Sequence, residues 1–202
     1  MAEPRERAWA LDEFFAWQER QPDRYELVSG RPLKMMVGVK NVHDLIVVNI
    51  LVTLKSKLQT FGYRPFTGES AMETYPGQIR RPDVGVDCGK FDPNAYKATA
   101  PRLVAEVLSP STRDFDTFGK LEGYKSVATL GYIMFVEPNA PSVALLSRGE
   151  GGGWVESRVE GLDAKIDLHA PGAALELRAL YEGVEFPNSP RLVTFEPSRS
   201  TG

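Results

Sequence analysis

Two acids and a lysine are the residues whose types and spacing best suit chemistry. Asp83 lies in Arg80-Arg81-Pro82-Asp83-Val84-Gly85-Val86-Asp87, Glu106 in Leu103-Val104-Ala105-Glu106-Val107-Leu108, and Lys120 on a helix-like stretch with Asp116 and Tyr124. An ionised carboxylate in an apolar run is costly unless it is paired, hydrogen-bonded or metal-bound. Side chains alternate along a strand, so Val104, Glu106 and Leu108 share one face, and Asp83, Gly85 and Asp87 share one face of theirs. If the two strands are neighbours, Asp83 and Glu106 converge. Close carboxylates repel, and a cation between them relieves the repulsion. Mg²⁺ suits such a site, because it takes oxygen ligands and often only one or two protein carboxylates. Asp116, Lys120 and Tyr124 are spaced i, i+4, i+8 and line one helix face. A lysine brought to the acids from there could orient a water and stabilise negative charge on a phosphate, while bound metal activates that water.

Each residue also has a plainer reading. Pro82-Asp83 could simply start a strand. Glu106 could be a structural ion-pair partner of Arg80, Arg81 or Lys120, since structural networks also bury acids. Asp116 and Lys120 could form an ordinary i, i+4 surface pair. His43 shares a helix face with Ile46, Val47 and Ile50 and reads as a hydrogen-bonded core residue. Tyr124 reads as packing, and Cys88 as inert.

The elements that must position these groups follow from hydrophobic periodicity. Residues 8–20 carry Trp9, Leu11, Phe14, Phe15 and Trp17 among polar residues, an amphipathic helix. Tyr25–Val28 and the run from Pro32 to Val37 flank Ser29-Gly30 and read as a β-hairpin. Asn41 can cap a helix from Val42 to Leu58, whose apolar residues cover most of its circumference and predict a well-buried helix. One or two strands are expected between Gly62 and Tyr75, then one from Arg80 to Val86. Leu103–Leu108 reads as a central strand buried on both faces. Pro110 stops it. Thr112 or Asp114 caps a helix over roughly 115–127, and Tyr132–Val136 is another buried strand. This order predicts an α/β (α+β) protein with a mixed sheet. After Pro138 the pattern becomes β-rich.

The 202 residues suit one domain over 1–187: an N-terminal helix and hairpin at 8–37, a core at 41–137, a β-rich tail at 142–187, and a flexible end at 188–202. A net charge of −3 disfavours indiscriminate coating of nucleic acid, so any such contact must use a local basic patch. A lone Cys88 fits a reducing cytosol. No apolar run reaches the ~18 residues of a membrane span, and the charged N-terminus has no apolar run behind it, so no signal peptide is expected. The expected location is cytoplasmic.

The segments Tyr25-Glu26-Leu27-Val28-Ser29-Gly30, His43 near a helix start, Pro82-Asp83-Val84, Glu106-Val107-Leu108-Ser109-Pro110-Ser111-Thr112, and Asp116…Lys120…Tyr124 followed by Tyr132-Ile133-Met134-Phe135-Val136-Glu137-Pro138 together resemble the Uma2 family of bacterial endonucleases. That family belongs to the PD-(D/E)xK nuclease superfamily, and the resemblance runs from about residue 9 to 180. It implies a restriction-endonuclease-like fold, a central four-stranded mixed sheet flanked by helices, here with a β-rich C-terminal extension. It implies an endonuclease that hydrolyses DNA phosphodiester bonds with Mg²⁺, or Mn²⁺ in its place. Asp83, Glu106 and the Val107 carbonyl would hold the metal, Lys120 would serve as a displaced catalytic lysine, and Glu26 would be a further site carboxylate. The superfamily usually places its lysine two residues after the second acid, where this chain has Leu108. Arg80 or Arg81 is expected to contact backbone phosphate. Nucleases of this fold often act as homodimers, so a homodimer is expected. The alternative is a non-catalytic nucleic-acid-binding or assembly module on the same fold.

Overall fold

The computed structural model describes residues 7–35, 40–109, 113–170 and 172–186. Pro110, Ser111, Thr112 and the end from 188 onward, to which a strand stop, a motif, a helix cap and a flexible tail were assigned, lie outside the described residues. So does the side chain of Asp116.

Two sheets carry the site. The smaller has the order β2-β1-β5-β4, formed by β1 (Tyr25–Val28), β2 (Arg31–Lys34), β4 (Met72–Glu73) and β5 (Ile79–Arg80). The β1–β2 turn is the expected Ser29-Gly30 step. Both residues take positive φ, 50° and 73°, as a tight two-residue hairpin demands. Helix α1 (Leu11–Gln18) seals this sheet, burying Phe14 and Phe15 with Leu27 and Ile79.

The larger sheet has the order β10-β9-β8-β7-β6-β3. Its strands are β3 (Arg64–Thr67), β6 (Val84–Asp87), β7 (Pro101–Val107), β8 (Tyr132–Val136), β9 (Ser142–Arg148) and β10 (Trp154–Glu160). Only β7 and β8 run parallel, joined by helix α3 (Arg113–Ser126); the other pairings are antiparallel. β9 and β10 come from the β-rich C-terminal stretch and continue the sheet, so it has six strands where the resemblance implies four. A hairpin of β11 (Lys165–Leu168) and β12 (Ala173–Glu176), then α4 (Leu177–Leu180), completes the chain.

Alternation along the central strands gives the large sheet two cores. Val84, Val86, Leu103, Ala105 and Val107 face helix α2 (Asn41–Leu58), which buries Ile46, Ile50, Leu54 and Leu58 against them. Val104, Leu108, Ile133 and Phe135 face α3, which contributes Tyr124. The expectation of a well-buried α2 does not hold. Only the i, i+4 stripe from Ile46 is fully covered, while Leu45, Val48 and Val52 are 37%, 47% and 62% exposed. The helix covers one side of the sheet, and α4 with the segment after it meets its flank, where Asn49 donates to the Leu180 and Glu182 carbonyls, leaving Val48 and Val52 the most exposed of its apolar residues.

The expected Arg80–Val86 strand is two strands in two sheets. β5 pairs with β1 and β4, and β6 pairs with β3 and β7. Between them lies Arg81-Pro82-Asp83, where proline supplies no N–H for a ladder. Asp83 therefore sits at the crossover from the small sheet to the large one. The end of α3 is fastened by Arg148 of β9, which donates to the Lys125, Val127 and Leu130 carbonyls at 2.9, 2.9 and 2.8 Å and stacks on Trp154. The bond to Lys125 satisfies one of the carbonyls that a helix end leaves without a partner, and the other two tie the following turn to β9. Among the described residues, no helix is long and apolar enough to cross a membrane.

Candidate active site

The register of β6 and β7 sets Gly85 opposite Val104 and Val84 opposite Ala105. One step further along the same register, Asp83 falls opposite Glu106, so the condition on which the two acids were expected to converge, that their strands be neighbours, is met. The Val107 N–H donates to Asp83 Oδ2 at 2.8 Å, which ties the crossover to the end of β7. The His43 imidazole, from the first turn of α2, lies 3.3 Å from the same oxygen. Burial alone would lower the His43 pKa, but its hydrogen bonds to Asp83 and the Val107 carbonyl and the nearby Glu106 charge raise it on balance.

Glu106 is buried in the α3-facing layer. Its Oε1 accepts from Lys120 Nζ at 3.2 Å and from the Tyr124 hydroxyl at 2.5 Å. Its carboxyl is raised to about 7, chiefly by burial and also by the Asp83 and Glu26 charges, against the pull of Lys120 and Tyr124 in the other direction. Tyr124 is itself raised well above the ordinary tyrosine value by burial and by the Glu106 charge. Lys120 Nζ also stands 3.8 Å from Glu26 Oε1. Glu26 in turn accepts from Arg80 Nη1 and from the Arg81 N–H, each at 2.9 Å. Arg80 further donates to the Gly119 carbonyl on α3 at 3.2 Å. One chain of contacts thus runs from Arg80 through Glu26 and Lys120 to Glu106, with Asp83 beside it.

The structure therefore brings Asp83, Glu106, Lys120 and Glu26 into one place. The plainer reading of Glu106 also describes a real contact, because Lys120 is its ion-pair partner. Arg80 and Arg81 do not take the expected phosphate-facing position. Both are buried, and Arg81 turns inward to the Tyr25, Gly68 and Glu69 carbonyls. The Arg81 guanidinium ties the crossover to β1 and to the loop before β4, while that of Arg80 links Glu26 of the small sheet to α3. Two contacts went unseen in the sequence. Tyr124 reaches Glu106 rather than only filling space, and its place one helical turn after Lys120 was the available signal. His43 reaches Asp83, and only its polarity on an apolar helix face pointed there. Leu108 lies in the apolar layer with Val104, Tyr124 and Ile133. The chain has no lysine there, and the ammonium beside Glu106 comes from α3.

The donor set fits a hard divalent cation. Asp83 and Glu106 are oxygen ligands that load unfavourable charge on each other, and the Val107 carbonyl lies at the end of the same strand. Among the described residues, no hydrogen-bond donor reaches Asp83 Oδ1 or Glu106 Oε2. Also among the described residues, no three His, Cys, Asp or Glu side chains are grouped to hold a metal by themselves.

Comparisons with known proteins bear on the family and the fold. The model of the Uma2 family, described as "Putative restriction endonuclease", matches residues 11–180. The chain belongs to the Uma2 family. It is 29% identical over 182 residues to the uncharacterized protein slr1290 of Synechocystis, covering 87% of this chain and 92% of that one. A crystal structure described as "a putative nuclease belonging to DUF820" from Anabaena variabilis superposes with a TM-score of 0.65 at 18% identity, over 85% of this chain and 96% of the other. That likeness concerns the fold, a central mixed sheet with few helices.

Proposed function

We propose that the protein is a Mg²⁺-dependent endonuclease that hydrolyses DNA phosphodiester bonds. The observation that carries this reading is the meeting of Asp83, Glu106 and Lys120 at the junction of two sheets, with Lys120 held 3.2 Å from Glu106. Family membership supports the same class of activity.

Asp83, Glu106 and the Val107 carbonyl would hold the ion, which when bound supplies Lewis-acid polarisation of a phosphate and a more acidic water. The rest of the work falls to the chain. Lys120 presents its ammonium where a phosphate bound at the acids gains negative charge in the transition state. Glu26 and Glu106 hold that ammonium from two sides, so the lysine is oriented before substrate arrives. The Arg80–Glu26 pair fixes the carboxylate that holds the lysine. His43 and the Val107 N–H orient the Asp83 carboxylate through Oδ2 and leave Oδ1 to other partners.

The protein is further read as a homodimer. The supporting observation is the exposed apolar stripe of Leu45, Val48 and Val52 on α2, at a spacing that lets two helices pack. Contiguous exposed apolar surface marks interaction sites.

Incubating supercoiled plasmid with the protein and Mg²⁺ or Mn²⁺ tests the activity. Nicked or linear product is expected from wild type and none from Asp83→Ala. Cleavage that persists in Asp83→Ala would sink the assignment. Mn²⁺ titration followed by electron paramagnetic resonance is the independent check: uptake by wild type and not by Asp83→Ala is expected. A folded wild type that neither binds Mn²⁺ nor cuts DNA would instead be the non-catalytic module.

A further inference from the structure

A cavity of about 530 Å³ opens at the β3 edge of the large sheet, lined by Lys55, Arg64, Phe66, Lys90, Phe91 and Lys97 among others. Asp83, Glu106 and Lys120 do not line it, yet it is connected to their strand. Asp87, at the far end of β6, forms part of its wall. The Phe66 ring, another part of that wall, lies so close over Gly85 that a Cβ there would meet it at 2.1 Å. Gly85 pairs with Val104, on the sheet face that Glu106 also occupies. Four residues of extended chain separate Asp83 from Asp87, roughly 13 Å.

The lining suits a nucleotide. Arg64 is paired with Asp87 at 3.1 Å, and Lys97 with Glu73. Lys55 and Lys90 have no ion-pair partner among the described residues. Asp92, the remaining acid of the wall, accepts the Asn94 N–H. Cationic surplus here contrasts with the net charge of −3 for the whole chain. Phe91 is 66% exposed, and the Arg64 guanidinium lies 5.6 Å from its ring centre. An exposed aromatic ring between lysines is the pairing that binds single strands, the ring stacking on a base and the ammonium groups meeting phosphates. The cavity volume is in the range of small-ligand sites.

We propose that this cavity is a subsite for an unstacked nucleotide of single-stranded DNA flanking the bond held at the acids, its base on Phe91 and its neighbouring phosphates facing Lys55 and Lys90. The proposal rests on the nuclease reading, because the subsite serves the strand to be cut. The test is fluorescence anisotropy of a labelled ten-residue oligothymidylate with the full-length protein in EDTA, where no cleavage occurs. Phe91→Ala is expected to weaken binding roughly tenfold. Lys55→Ala combined with Lys90→Ala should flatten the dependence of log K on log salt by about 1.4, since each phosphate contact to a single strand contributes about 0.7. All three side chains are exposed, and circular dichroism melts should match wild type. Absence of oligonucleotide binding by wild type, or binding by Phe91→Ala equal to wild type, overturns the subsite. Plasmid cleavage with Mg²⁺ separates the two ideas. Cleavage without any Phe91 dependence of binding removes the subsite and leaves the nuclease. Phe91-dependent binding without cleavage removes the nuclease and leaves a plain single-strand site.

Discussion

At the scale of single residues, Glu106 sets the behaviour of the metal-free protein. Its carboxyl is raised to about 7 by burial and by Asp83, above the ordinary 4.5 of a glutamate, so folding takes up a proton. The stability that goes with that proton is fully present below about pH 4.5 and is lost as pH rises through about 7. His43, also raised, acts in the same direction: its contribution is complete below about 6.5 and fades as pH climbs through its folded value. The metal-free protein should therefore melt at a lower temperature at about pH 8.5 than at about pH 6, and Glu106→Gln should remove most of that difference. Melts followed by circular dichroism in EDTA check this, and equal slopes for the two proteins would contradict it. Lys120→Met should abolish cleavage while Mn²⁺ still binds, and should cost roughly 3–5 kcal/mol of stability in denaturant titration, because it leaves the buried Glu106 carboxylate without its cation while Glu26 keeps Arg80. Strand alternation made a meeting of Asp83 and Glu106 legible only on the condition that their strands were neighbours, and Lys120 was singled out by the family resemblance more than by its helical spacing, which equally fitted a surface pair with Asp116. The partners of Tyr124, His43, Arg80 and Arg81 were not, since each contact joins segments that no local period connects.

At the scale of elements, the lysine is positioned by parts of both sheets. Glu26 comes from β1, Arg80 from β5, Glu106 from β7 and Lys120 from α3. Glu26→Gln should lower turnover while metal affinity stays at the wild-type value, a split read from cleavage rates beside Mn²⁺ titration. A matching fall in metal affinity would instead place Glu26 among the ligands. Two element expectations failed for stated reasons. Pro82 ends one ladder and lets the chain enter a second sheet, so Arg80–Val86 could not remain one strand. Helix α2 is apolar nearly all round, yet it lies on one sheet face only. Composition told how apolar it is but not how many partners it meets.

At the scale of the whole molecule, the proposed homodimer rests on the outer stripe of α2. Val52 is 62% exposed, so Val52→Glu costs the fold little and places charge in the proposed interface. Light scattering coupled to size exclusion should show wild type at twice the mass of one chain and Val52→Glu at a single mass. A wild type of single mass would remove the homodimer. The broad fold was legible from the alternation of helix and strand patterns. The width of the large sheet was not, because β9 and β10 have the alternating pattern of any hairpin, and nothing local shows that β9 pairs with β8.

The chain of contacts from Arg80 to Glu106 also bears on when the protein is harmless. A lysine two residues beyond the second acid would share a strand with it and be in place as soon as that strand formed. Here the lysine waits on a helix, and its holder Glu26 waits on another sheet. A nascent or half-melted chain in which either sheet has not docked has acids without an oriented ammonium. On the proposed nuclease reading, cutting power then arrives last, as a property of the finished molecule, so DNA around an unfinished copy is spared without any inhibitor.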